Sequence, residues 1–87
     1  MIKAVSASAT ATQAVPANEK RKGLLIYNNE TANLVEVTSS KNAIYGQGIP
    51  IPAKGCYENL HFCQGEYFLI CNTGLTADCR IEEDIEG

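Results

Sequence analysis

Four cysteines are the residues of this 87-residue sequence best suited to chemistry. Cys56, Cys63, Cys71 and Cys79 lie seven, eight and eight residues apart, so the sequence has no Cys-x-x-Cys pair of the kind that holds structural zinc. Each lies in or beside an apolar stretch, where a free thiol packs as a small apolar side chain. We therefore expect free thiols, with one or two disulfides as the alternative, and no zinc site.

The remaining polar residues form no catalytic motif. His61 is the single histidine and has no sequence partner that would make it a base or a metal ligand. The sequence contains no Gly-x-Ser-x-Gly motif and no glycine-rich phosphate loop. The acidic tail around Glu82, Glu83 and Asp84 lacks the loop with a central glycine that calcium sites use. We expect no enzyme activity, no cofactor and no metal ion.

The cluster Lys20, Arg21 and Lys22 is the one basic patch of the sequence. Three charges without interleaved aromatic residues bind phosphate weakly at physiological salt, which argues against nucleic acid as a partner. The patch is then either a solvated turn or a contact with an acidic neighbouring subunit. Across the chain, residues 1–54 carry a net charge of +3 and residues 55–87 a net charge of −6. Such a dipole suits head-to-tail contact between copies, although scattered solubilising charge is the alternative.

Length and composition limit the possible architectures. With 45% hydrophobic residues, six aromatic rings and no tryptophan, the chain is one small domain with little material for a deep ligand pocket. A chain of this size buries a modest share of its surface, so oligomerisation is the expected supplement to its core. The apolar residues between Ala4 and Ala17 are alanines and valines interrupted by polar residues, unlike a secretory signal. We expect a cytoplasmic product with no membrane segment.

The N-terminal residues 4–13 alternate alanine or valine with serine or threonine. A period of two is typical of a strand, but side chains this small cannot anchor one by burial. We interpret residues 1–14 as an extended arm that pairs with another strand, or alternatively as a disordered tail. Residues 15–87 are then the folded domain.

Short apolar runs in the remaining chain predict strands separated by turns. Leu24–Tyr27, ended by Asn28, is typical of a central strand covered on both faces. Leu34–Ser39 alternates and predicts a half-exposed strand. Ile49–Pro52 contains two prolines and suits only a sheet edge. Further strands are predicted at 56–63, 66–72 and 75–83, and no helical period lasts ten residues. The pattern predicts an all-β fold, a small antiparallel β-sandwich or barrel of six to eight short strands.

The strand around Leu69 is apolar on both faces and must be covered twice, either by a second sheet or by another chain. A two-residue hairpin at Thr73-Gly74 would pair this strand with the following one and place Phe68 opposite Cys79. The preceding loop at Gln64-Gly65 leaves two registers open, and one of them places Phe62 beside Tyr67 on an exposed apolar face.

Four segments, in their order along the chain, resemble small virion proteins of tailed bacteriophages. The run Val15–Asn28 contains a proline, several polar residues, Arg-Lys, a small residue, Leu-Leu-Ile, a variable residue and Asn. The stretch Gly48–Gly55 reads Gly-Ile-Pro-Ile-Pro-Ala-Lys-Gly, and the strands Gly65–Ile70 and Ala77–Glu83 follow in the same order. The four cysteines and the Ala/Ser/Thr-rich arm depart from that pattern.

The resemblance implies a β-sandwich that decorates or cements the phage capsid as a structural protein. Its partners would be the major capsid protein or other virion proteins, in a homo-oligomer or symmetric lattice, after synthesis in the host cytoplasm. A carbohydrate-binding or fibre/tail adaptor module, with an exposed platform of Tyr45, Tyr57 and Tyr67, is the alternative; a small enzyme or host-directed regulator is a third. The expected subunit interface comprises Val5, Ala7, Ala9, Ala11, Lys20, Arg21, Lys22, Tyr67 and Leu69.

Overall fold

The computed structural model describes residues 2–60 and 63–86, so the expectations for His61 and Phe62 lie outside the described residues. Within these residues, eight strands form two antiparallel sheets, which confirms the all-β expectation and is consistent with a small sandwich. The strands are β1 (Ile2–Ala7), β2 (Thr12–Val15), β3 (Arg21–Asn28), β4 (Val35–Thr38), β5 (Ile49–Ile51), β6 (Cys56–Asn59), β7 (Tyr67–Cys71) and β8 (Ala77–Ile85).

We name the two sheets by their strand order. The front sheet has the order β1-β8-β3-β6, and the back sheet has the order β2-β7-β4-β5. All neighbouring strands within each sheet are antiparallel. Strand β3 is central, as the sequence predicts, and β5 with its Pro50 lies at an edge, where a missing amide donor costs least.

The N-terminal segment belongs to both sheets of the same chain. Strand β1 pairs with β8, and β2 pairs with β7. Between them Ser8 forms a bridge to Ile70, and its carbonyl oxygen accepts a hydrogen bond of 2.9 Å from the Cys71 amide. Ala7, Ala14 and Val15 of this segment are fully buried and join the core between the sheets. The segment therefore contributes one strand to each sheet of its own chain.

The predicted hairpins are wrong, although the strands that flank them are present. Thr73-Gly74 does form a turn, in which the Leu75 amide donates to the Asn72 carbonyl and Gly74 has φ +81°. The strands on either side of it, β7 and β8, belong to different sheets. The same is true of β6 and β7, so neither proposed register across Gln64-Gly65 forms. Each strand carries inward apolar residues and gains more by lining the core from opposite sheets than by pairing with its neighbour in sequence.

Strand β7 is buried on both of its faces within one chain. Leu69 and Cys71 point into the core between the sheets, where they join Val35 and Val37 of β4. Phe68 and Ile70 point outward from the back sheet and are nevertheless buried. The inward face of β7 is therefore covered by the second sheet of the same chain, which is one of the two alternatives that the sequence left open. No neighbouring chain is needed to cover Leu69.

The two halves of the charge dipole are interleaved in space. Strand β8, which carries four of the seven acidic residues of the acidic half, lies between β1 and β3 of the basic half. The chain therefore has no separate basic and acidic end of the kind that the sequence dipole suggests.

Candidate interaction surface

The expected interface residues do not form one surface. Ala7, Arg21 and Leu69 are buried, and the half-buried Val5 and Tyr67 pack against the core. The other members are exposed or half-exposed: Ala9, Ala11, Lys20 and Lys22. Three of the nine expected contact residues are thus unavailable to a partner.

Arg21 is a buried cation and not part of a basic patch. Its Nε donates to Glu83 Oε2 at 2.9 Å, and its Nη1 donates to the carbonyl oxygens of Cys63 at 2.6 Å and Gly65 at 2.9 Å. Its Nη2 donates to the Pro16 carbonyl oxygen at 2.5 Å. The planar guanidinium can satisfy several acceptors at once, so it ties the start of β3 to the segment before β7 and to β8. This role is structural.

The outer face of the front sheet contains exposed and half-buried apolar side chains at regular positions. Leu24 and Ile26 point into the core, so Leu25 and Tyr27 on the same strand point outward. The strand registers align outward residues in two rows that cross all four strands. The first row is Ile2, Glu82, Leu25 and Glu58, and the second row is Ala4, Arg80, Tyr27 and Cys56.

Two shallow depressions adjoin Leu25 on this face. The larger, of about 410 Å³, is lined by Ile2, Leu25, Tyr27, Cys56, Arg80, Ile81 and Glu82. The smaller, of about 160 Å³, extends past Gly23 to Leu60, whose Cδ2 lies 3.4 Å from the position that a Cβ atom would take at Gly23. Ile2 and Leu60 are each 62% exposed. We call Ile2, Leu25, Tyr27 and Leu60 the front patch.

The charged residues around the front patch are mostly acidic. Glu58 and Glu82 flank Leu25 on its two neighbouring strands, and Asp84 lies beside Gly23. Arg80, the cation of this face, is ion-paired with Asp78. Its hydrogen bond, with a second from Asn29, lowers the pKa of the Asp78 carboxyl below its ordinary value of 3.8. The front patch therefore presents apolar groups within a negatively charged surround.

A buried carboxylate shapes the opposite side of the molecule. Glu36 on β4 is 6% exposed, although the alternation of its strand predicts a half-exposed position. It lies beside Ile70 on the outer face of the back sheet, and its Oε1 accepts hydrogen bonds from the amides of Gly46 at 2.8 Å and Gly48 at 3.1 Å. These hydrogen bonds hold Gly46 and Gly48 beside Glu36 on this side of the molecule.

The segment held by Glu36 ends in an exposed turn with apolar side chains. The Gln47 amide donates to the Ile44 carbonyl, the Ile44 amide donates to Gln47 Oε1, and Gly46 has φ +103°. Ile44 is 64% exposed and Tyr45 is 38% exposed. Positive φ at the third turn residue favours glycine, so Gly46 fits the turn. We call residues 44–47 the apolar turn.

The expected three-tyrosine platform does not form. Tyr57 and Tyr67 lie together, with ring centroids 6.4 Å apart, and both pack against the core on the inward sides of their strands. Asn59 Nδ2 donates to the Tyr57 hydroxyl at 3.1 Å, and burial raises the pKa of Tyr67. Tyr45 lies on the outer side of the back sheet, away from the inward pair. This arrangement disfavours the carbohydrate-binding alternative.

All four cysteines are free thiols, as expected, but they differ in exposure. Cys63, Cys71 and Cys79 are buried, whereas Cys56 is exposed in the larger depression. Burial raises the pKa of the Cys71 thiol and raises that of Cys79 to about 11, with the nearby Asp78 charge adding to the latter. Because the thiolate is the reactive form, Cys71 and Cys79 are poor nucleophiles at neutral pH.

Sequence reasoning missed the front patch, the apolar turn and the role of Glu36. The run Leu24–Tyr27 reads as covered on both faces, and periodicity alone does not say which face is open.

Across residues 2–60 and 63–86, no three His, Cys, Asp or Glu side chains are grouped so that they could hold a metal ion. The same part of the chain has no helix long and apolar enough to cross a bilayer. Comparisons with protein-family models, with curated proteins and with solved structures find no match.

Proposed function

We propose that this chain is a structural accessory subunit of a tailed-bacteriophage virion, where it decorates or cements the capsid through contacts with neighbouring subunits. The observation that carries the proposal is the front patch. Ile2 and Leu60 are largely exposed and Leu25 and Tyr27 are half-buried around the depressions of this face, and exposed apolar surface marks interaction sites. The resemblance of the sequence to small virion proteins supports the choice of particle.

The contacts proposed here differ from those expected of an N-terminal arm. Residues 2–7 and 12–15 pair with β8 and β7 of their own chain, so this proposal does not use them as a free arm. A flat sheet face offers many weak contacts instead, and a symmetric shell repeats each of them many times. Partners of the front patch would carry apolar and basic side chains, because acidic residues surround Leu25.

The test is the copy number of the chain in purified particles. Phage particles are isolated by density gradient from the culture that produces the protein, and the chain is quantified by mass spectrometry in particles and in particle-free lysate. The proposal predicts enrichment in the particles. Absence of the chain from the particles would overturn it.

Variants then connect particle binding to the front patch. Leu25→Thr combined with Leu60→Thr removes apolar surface from the patch and keeps side chains that strands tolerate. Each leucine that becomes buried in a contact contributes about 1.5–3 kcal/mol, so occupancy should fall at least about tenfold. The matched control is Leu75→Thr, at a leucine 41% exposed in the turn before β8, which should bind as wild type does. Equal loss in the variant and the control would mean that the front patch is not the contact.

A further inference from the structure

We infer that the front patch of one molecule receives the apolar turn of a second copy, so that copies associate head to tail. This inference rests on the proposed structural function and names one partner of the same surface. The turn presents Ile44 and Tyr45 as a projection, and the larger depression beside Leu25 offers an apolar concavity.

The position of the two surfaces fixes the type of contact. The front patch lies on the outer face of the front sheet, and the apolar turn lies over the outer face of the back sheet. Because these faces are on opposite sides of the sandwich, one molecule cannot bring them together. A contact between them in two copies is heterologous, and repetition of such a contact builds a ring or an open filament.

The charges of the two surfaces are complementary. Lys41 is exposed and is the one exposed charge of residues 39–48. Glu36 beneath the turn is buried and hydrogen-bonded to two backbone amides. The front patch has Glu58 and Glu82 on either side of Leu25. Lys41, three residues before the apolar turn, and the carboxylates Glu58 and Glu82 carry opposite charges, which favours contact between the two surfaces, whereas two front patches placed face to face would repel.

The turn is also preorganised for binding. Glu36 fixes the amides of Gly46 and Gly48, and Gln47 closes the turn at both ends of Ile44. Binding therefore orders little additional backbone, which lowers the entropic cost of association. In a contact made by the apolar turn, the buried Glu36 carboxylate would hold the turn in the conformation that binds.

The experiment uses two complementary variants of the full chain. Ile44→Asp disables the projection and keeps the depression, whereas Leu25→Asp disables the depression and keeps the projection. Wild type should associate with rising concentration in sedimentation velocity, and each variant alone should associate at least tenfold more weakly. An equimolar mixture of the two should form a dimer and nothing larger, because one intact pair of surfaces remains. Circular dichroism confirms that each variant is folded, and Leu75→Asp should behave as wild type does.

Cross-linking supplies a second readout that tolerates weak association. Cys56 lines the larger depression, so Tyr45→Cys places a second thiol on the projection. Copper-phenanthroline with dissolved oxygen accepts the two electrons and two protons that leave when the thiols join, and a ladder of disulfide-linked copies should appear on a non-reducing gel. The ladder should vanish with Cys56→Ser and should not form with Leu75→Cys.

The outcomes separate this inference from the proposed function. A monomeric wild type whose Tyr45→Cys variant gives no ladder overturns head-to-tail association, even if the chain is found in particles. The inference is also overturned if Ile44→Asp and Leu25→Asp each associate as strongly as wild type does. It is likewise overturned if the equimolar mixture of the two variants stays monomeric. Head-to-tail association of a chain absent from particles supports the inference and removes the virion role.

Discussion

Replacement of Arg21 by methionine tests whether the buried guanidinium holds the sandwich together. Methionine keeps most of the apolar stem and removes every donor. The carbonyl oxygen of Cys63 then loses a buried hydrogen bond of 2.6 Å, and the carbonyl oxygens of Gly65 and Pro16 lose partly buried ones. Glu83, with a side chain 21% exposed, loses its ion pair but keeps contact with water.

These contacts set the expected magnitude. An orphaned buried acceptor costs about 1–3 kcal/mol, and breaking a buried ion pair on one side costs about 3–5 kcal/mol in all. The partial exposure of Glu83 places the expected loss near the lower end, about 3 kcal/mol. Because a domain of this size has a free energy of unfolding of roughly 4–13 kcal/mol, the variant should be marginal.

Urea unfolding followed by far-ultraviolet circular dichroism measures the effect. With a denaturant slope of about 1.5 kcal/mol per molar, the midpoint should fall by roughly 2 M. Lys22→Met, at the exposed neighbour, is the matched control and should change stability by less than about 0.5 kcal/mol. A loss below about 1 kcal/mol for Arg21→Met would refute the reasoning, since it would mean that the desolvation of the guanidinium cancels its hydrogen bonds.

Three further predictions concern other parts of the molecule. Glu36→Ala should reduce stability by about 1–3 kcal/mol and speed chymotrypsin cleavage within residues 39–48, because two amides lose their acceptor; an unchanged digestion time course would contradict this. Iodoacetamide should label Cys56 alone in the native protein and all four cysteines in concentrated urea, as mass spectrometry will show, and native labelling of a buried cysteine at a similar rate would contradict the structure. The stability advantage of wild type over Asp78→Asn should be present at neutral pH and disappear as the pH falls below about 4, since the folded carboxyl titrates below its ordinary pKa of 3.8; a carboxyl titration by NMR with a midpoint at or above 3.8 would refute the lowered pKa.

Local patterns were sufficient to locate most strands. The apolar run ended by Asn28 became β3, which ends at that residue. The alternation around Val35 and Val37 became β4, and the proline-containing segment became the edge strand β5. These features depend on side-chain period and on the missing amide of proline, which are properties of neighbouring residues.

The candidate surfaces could not be predicted in the same way. Glu36 alternates with two valines and reads as exposed, and its burial depends on amides ten and twelve residues away. Leu25 reads as buried, and its partial exposure follows from its position on the outer face of the front sheet. In both cases the deciding neighbours are distant in sequence.

The sequence by itself determined the all-β class and the approximate strand positions, because both follow from local spacing and composition, whereas it left a disulfide open as the alternative to free cysteines. The tertiary structure decided which strands pair, that residues 2–15 contribute a strand to each sheet, and that Arg21 is buried while Leu25 faces outward. Antiparallel pairing satisfies the same backbone hydrogen bonds with any suitable partner strand. The choice among partners therefore depends on how all the inward apolar faces meet in one core, which no short segment specifies.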